Sequence, residues 1–147
     1  MKRPFLLVCA CQSPKSTAAP LACAEPGSVL TDLALTETKR GYAYHFQLYL
    51  PPCYEIETER EYPVLFLIPG LGGGPAAWFQ AGADEVANEL ILDGEVPPFL
   101  IVSTESTSSD PQGQIIVEEL LPYVESEYRV RAERQYRAVA SLSAHLL

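Results

Sequence analysis

The chain has 147 residues, 48% of them hydrophobic and 20% charged, which suits one globular domain and excludes wholesale disorder. Ten Lys and Arg against 19 Asp and Glu leave a formal charge of −9, so neither a nucleic-acid backbone nor an anionic lipid surface is an expected partner. Thirteen prolines point to many turns, and no apolar run reaches the ~20 residues of a membrane-spanning helix.

The chain opens on the basic Met1-Lys2-Arg3, followed by an apolar stretch from Pro4 to Ala10. That is the layout of a short export signal. Val8-Cys9-Ala10-Cys11 is similar to a bacterial lipoprotein box, which makes Cys11 the expected lipidated residue and gives a route to membrane attachment. Gln12 to Gly27 is rich in Pro, Ser, Ala and Thr and reads as a disordered tether, taken here to residue 28. Cleavage after Ala22-Cys23-Ala24 is an alternative, as is a cytosolic tail with no signal at all. The expected location is the cell envelope or the exterior. Four cysteines without a Cys-x-x-Cys pair, and two histidines, offer no zinc site. A Cys23–Cys53 disulfide is compatible with export, though no spacing rule demands it.

Residues 29–35 alternate weakly, as an edge strand does. Residues 42–50 alternate cleanly, with Tyr42, Tyr44, Phe46, Leu48 and Leu50 on one face and Ala43, His45, Gln47 and Tyr49 on the other, the pattern of a half-buried strand. Val64 to Ile68 is a continuous apolar run, expected to be covered on both faces. Ala83, Val86, Ala87, Leu90 and Ile91 recur at helical spacing and predict a helix over 83–93. Phe99 to Val102 is a second buried strand, and 103–113 a polar loop. Ile116, Leu120, Val124 and Tyr128 step by four, so 114–127 is expected to be a helix kinked at Pro122. Arg137 to Ala140 is a last strand. This order calls for an α/β sheet, parallel at its centre with antiparallel N-terminal strands.

Two segments could carry chemistry. Pro69-Gly70-Leu71-Gly72-Gly73-Gly74 follows a buried strand. It is no phosphate loop, since Pro75-Ala76 stands where Lys-Ser or Lys-Thr is needed, and the dinucleotide pattern fails at Pro75 as well. Such a turn can aim backbone N–H groups at a developing oxyanion, or be a plain flexible turn. Ser141-Leu142-Ser143-Ala144-His145 follows the last strand, where a nucleophile elbow would push out a serine hydroxyl. The bland alternative is a serine-rich strand end.

Four motifs in order resemble the esterase family of α/β-hydrolases that includes feruloyl and acetylxylan esterases, esterase D-like enzymes, enterochelin esterases and S-formylglutathione hydrolase. Tyr49-Leu50-Pro51-Pro52-Cys53-Tyr54 is similar to the family's Tyr-Leu-Pro-Pro-Gly-Tyr, with Cys53 in the glycine slot. Tyr62-Pro63-Val64-Leu65-Phe66-Leu67-Ile68-Pro69-Gly70 resembles Tyr-Pro-Val-Leu-Tyr-Leu-Leu-His-Gly, with Pro69 for the histidine. Glu119-Leu120-Leu121-Pro122-Tyr123-Val124 resembles Glu-Leu-Ile-Pro-Tyr-Ile, and Arg137-Ala138-Val139-Ala140-Ser141-Leu142-Ser143 resembles Arg-Ala-Ile-Ala-Gly-Leu-Ser. The resemblance implies an α/β-hydrolase-type sheet, Ser143 as nucleophile, the backbone N–H groups of Leu71 and Ala144 as oxyanion hole, and no cofactor or metal. Trp78 would line the substrate or pack beneath the turn. The substrate class implied is a small-molecule or carbohydrate-linked ester.

The family's acid and histidine follow the serine. Here four residues follow Ser143, and His145 is the one histidine among them, in a slot that should be small. His45 reads as an exposed strand histidine. The expectation is a hydrolase domain truncated after the elbow, weak or inactive by itself, or completed by a second chain, with Arg137–Ala140 left as an open, association-prone edge. The alternative is a non-catalytic exported binding module on a decayed hydrolase scaffold.

Overall fold

The computed structural model describes residues 23–106 and 112–142. Five strands form one mixed sheet in the order β1-β2-β4-β3-β5, namely β1 (Ser28–Leu35), β2 (Tyr44–Leu50), β3 (Val64–Ile68), β4 (Leu100–Thr104) and β5 (Arg137–Ser141). β2 runs antiparallel to β1 and to β4, while β3 runs parallel to β4 and β5. The C-terminal ends of β3, β4 and β5 therefore lie along one rim of the sheet. In such sheets, ligands sit on that rim.

The two faces of the sheet carry separate cores. Val64, Phe66 and Ile68 alternate with Leu65 and Leu67, so one set packs with Ile115, Ile116, Leu120 and Val124, and the other with Ala87, Tyr49 and Ile101. The helices over the first face are α3 (Gln112–Ile115), a π-helical turn (Ile116–Leu120) and α4 (Leu121–Glu127). Those over the second are α1 (Ala77–Gln80) and α2 (Ala83–Leu92). Asp84 and Glu85 in the first turn of α2 complement the helix dipole.

Several expectations need correction. The strand predicted from residue 42 begins at Tyr44, and Tyr42 is exposed rather than in the core. Tyr49, assigned to the solvent face, is fully buried, because α2 covers it and Asn88 accepts its hydroxyl at 2.9 Å. β4 extends to Thr104, beyond the predicted Val102. The kink expected at Pro122 takes the form of the π turn. Proline has no N–H to offer the preceding turn, and the Leu121 N–H reaches back five residues to Ile116 O, widening the helix before the ring enters it.

Ser28 lies in β1 rather than in the tether. The segment before it is fastened. Cys23 is disulfide-bonded to Cys53 with Cα atoms 5.6 Å apart, and the Gly27 N–H donates to Asn88 Oδ1 at 2.7 Å. Cys53 has φ 65°, a left-handed conformation that favours glycine. That explains a glycine in the related motif; here the sulfur bridge holds a side chain in that conformation.

Candidate active site

β3 is read without error from sequence, since Pro63 and Pro69 bound a run buried on both faces. It delivers the chain to the rim at Pro69, where the glycine turn begins. The Ala77 N–H holds the Gly74 carbonyl at the end of that turn at 3.1 Å, and three further backbone hydrogen bonds shape it. Gly73 N–H donates to Gly70 O at 2.8 Å, Gly72 N–H to Ser106 O at 3.0 Å, and Ser106 N–H to Gly73 O at 2.9 Å. Gly72 has φ 77°, and a Cβ on Gly73 would lie 2.7 Å from Pro69 Cβ. Both positions therefore require glycine.

These bonds fix where the Leu71 N–H points. In a planar trans peptide the C=O and the next N–H face opposite ways. Gly70 O is turned inward to Gly73, so the Leu71 N–H is turned out of the turn. Among the described residues it has no acceptor, and the Leu71 side chain is 68% exposed. A rigid, outward, unpaired N–H at a strand's C-terminal end is what an oxyanion donor needs.

β5 approaches the same place. It pairs in parallel with β3 from Val64↔Arg137 to Ile68↔Ser141, and Leu142 N–H donates to Ile68 O at 3.2 Å. Ser143, Ala144 and His145 follow and lie outside the described residues, as does Cys11. The strand that leads to Ser143 and the strand that leads to Leu71 are thus immediate neighbours.

Trp78 sits in α1, directly after the turn. It packs against the Tyr49, Leu67, Ala87 and Ile101 cluster and borders an apolar hollow of about 340 Å³ together with Leu65, Phe99 and Val86. His45 is exposed at the start of β2, its N–H held by Glu105 Oε1 at 3.0 Å. No His, Cys, Asp and Glu cluster able to hold a metal occurs among the described residues. Sequence reasoning missed Ser106, a serine in a polar loop with no periodicity to mark it.

Residues 38–145 match the family described as "Putative esterase". The chain belongs to this esterase family. It is 29% identical over 112 residues to an endo-1,4-beta-xylanase/feruloyl esterase of Xylanibacter ruminicola, covering 65% of this chain and 15% of that protein. Among solved structures, a ferulic acid esterase matches with TM-score 0.73 and 28% identity over 80% of this chain and 49% of the other. The feruloyl esterase module of Clostridium thermocellum, complexed with sinapinate, shares the fold with TM-score 0.66 and 22% identity, over 85% and 50% of the two chains. The chain thus spans about half the length of these solved relatives. Its mixed sheet with helices on both faces is that of an α/β-hydrolase-type esterase.

Proposed function

We propose that the chain carries the nucleophile and oxyanion half of a serine carboxylester hydrolase of the feruloyl esterase type. The observation that carries this reading is the pairing of Leu142 with Ile68, which brings the residue before Ser143 beside the strand that feeds the glycine turn. Ser143 Oγ attacks the ester carbonyl. The tetrahedral oxyanion is held by the Leu71 and Ala144 N–H groups, and the alcohol departs to leave an acyl-enzyme that water hydrolyses. Trp78, bordering the apolar hollow, is the candidate to flank an aromatic acyl group. The similarity to feruloyl esterases supports hydroxycinnamate esters on plant carbohydrate as the substrate class.

Residues 1–147 contain no carboxylate after Ser143, so these residues alone are expected to turn over ester weakly or not at all. A histidine and an Asp or Glu would have to come from further chain or from a complementing partner. The Cys23–Cys53 bridge supports an oxidising compartment, in keeping with an export signal and lipidation at Cys11.

Release of ferulate from methyl ferulate, measured for the wild type and for Ser143→Ala, tests the reading. Hydrolysis lost in the variant supports it. Binding to feruloylated xylan with no hydrolysis by either form, even with imidazole added to stand in for the histidine base, would favour the non-catalytic binding module.

A further inference from the structure

We infer that Ser106 is the positioning residue of the oxyanion turn, acting through its peptide group on the direction of the Leu71 N–H; this rests on the reading of that N–H as an oxyanion donor. A turn with glycine at 70, 72, 73 and 74 has little stiffness of its own. Its one internal bond, Gly73 N–H to Gly70 O, orients the peptide between Gly70 and Leu71. The next peptide, between Leu71 and Gly72, is oriented because Gly72 N–H donates to Ser106 O, and the peptide after Gly73 because Gly73 O accepts from Ser106 N–H. With the Gly74 carbonyl held by the Ala77 N–H at 3.1 Å, one residue outside the turn thus supplies two of its four fixed points.

Ser106 is itself anchored. The preceding Glu105 donates its N–H to His45 O at 3.2 Å, accepts the Tyr44 hydroxyl on its carbonyl at 3.1 Å, and accepts the His45 N–H on its carboxylate. Ser106 is 2% exposed, and its hydroxyl has no partner among the described residues. Its contacts with the turn are therefore made by the peptide and not by the side chain. The line of support runs from the start of β2, through Glu105 and Ser106, to Gly72 and Gly73, and it ends at a donor that none of these groups touches. A donor preset in this way needs no reorganisation when charge develops.

The test uses the 147-residue chain, oxidised and ¹⁵N-labelled, with ferulate as the carboxylate probe. In the wild type, the Gly72 and Ser106 amides should exchange with solvent more slowly than the Leu71 amide by roughly tenfold or more. The Leu71 resonance should move on ferulate addition. Ser106→Ala removes the hydroxyl and keeps the peptide, so it should respond as the wild type does. Ser106→Pro removes the N–H to Gly73 O and should abolish the Leu71 response while the rest of the spectrum is retained. A Leu71 response equal in wild type and Ser106→Pro overturns the positioning role and leaves the donor reading intact. Unprotected Gly72 and Ser106 amides in the wild type also overturn it, whether or not the proline variant folds. A protected turn whose Leu71 resonance ignores ferulate overturns the donor reading, and the inference with it.

Discussion

The Leu142 N–H donates to the Ile68 carbonyl at 3.2 Å, one step beyond the last paired residues of β3 and β5. This bond extends the parallel ladder to the rim, so the two strands leave the sheet side by side. One enters the glycine turn and the other reaches Ser143. In the proposed mechanism the nucleophile and its oxyanion donor follow directly after neighbouring strands, β5 and β3, which the Leu142–Ile68 bond holds together at the rim.

The turn should be intolerant of side chains at two positions and tolerant at a third. Gly72→Ala forces a left-handed conformation and should cost about 1 kcal/mol or more of stability. Gly73→Ala places a Cβ 2.7 Å from Pro69 Cβ and 2.8 Å from Gly70 O, which displaces the turn from Ser106. Gly74 has open space around it and no left-handed φ, so Gly74→Ala should be neutral within about 0.5 kcal/mol. Urea unfolding of the three variants gives the ranking.

The disulfide closes a loop spanning 30 residues around β1 and β2. Reduction should therefore destabilise the fold by about 3–4 kcal/mol in the chain-entropy account. Cys53 adds a second, separable effect through its φ of 65°. Cys53→Gly and Cys53→Ala both remove the bridge, but glycine relieves the left-handed cost. The glycine variant should be more stable than the alanine variant by about 1 kcal/mol, as read from paired denaturant melts.

Stability should fall at alkaline pH. Burial pushes the Tyr44 hydroxyl up to about 12 from its ordinary 10, and burial raises Tyr49, Tyr62 and Tyr128 as well. Below pH 10 these phenols are neutral in both states and their contribution is complete. Above it the unfolded chain loses the protons first, so folding stability drops as pH rises through the folded values. The loss for Tyr44 is about 1.4 kcal/mol per pH unit between about 10 and about 12. Denaturant midpoints at pH 9 and pH 11 should differ accordingly, and Tyr44→Phe should flatten part of the difference.

β5 is an edge strand among the described residues, with Ala138, Val139 and Ala140 exposed and Val139 52% accessible. An apolar edge of this kind pairs with other chains. The 147-residue chain should self-associate, and Val139→Lys should shift it towards monomer without lowering its melting temperature by more than a few degrees. Sedimentation velocity of the two forms would show this, and a monomeric wild type would contradict it.

Much of the fold is written locally. Val64–Ile68 is apolar throughout and bounded by prolines, and the run has no competing reading. Tyr49 defeats the alternation rule because a tyrosine can bury its ring and still satisfy its hydroxyl, here on Asn88, 39 residues away. Pro122 announces a break in its helix but not that a π turn will absorb it. At the candidate site the glycines are visible in sequence, since few other residues fit such a turn. Ser106 is not, because it acts through its backbone, which every residue shares. The pairing of Cys23 with Cys53 follows from where β1 and β2 place the two residues, and no spacing rule encodes that.

The central claim is that Ser143 is the nucleophile. Its most direct test is fluorophosphonate labelling followed by peptide mapping, with and without added imidazole to stand in for a histidine base. The account predicts an adduct on the peptide containing Ser143, accelerated by imidazole and absent from Ser143→Ala. Labelling on another serine, or equal labelling of Ser143→Ala, would contradict it.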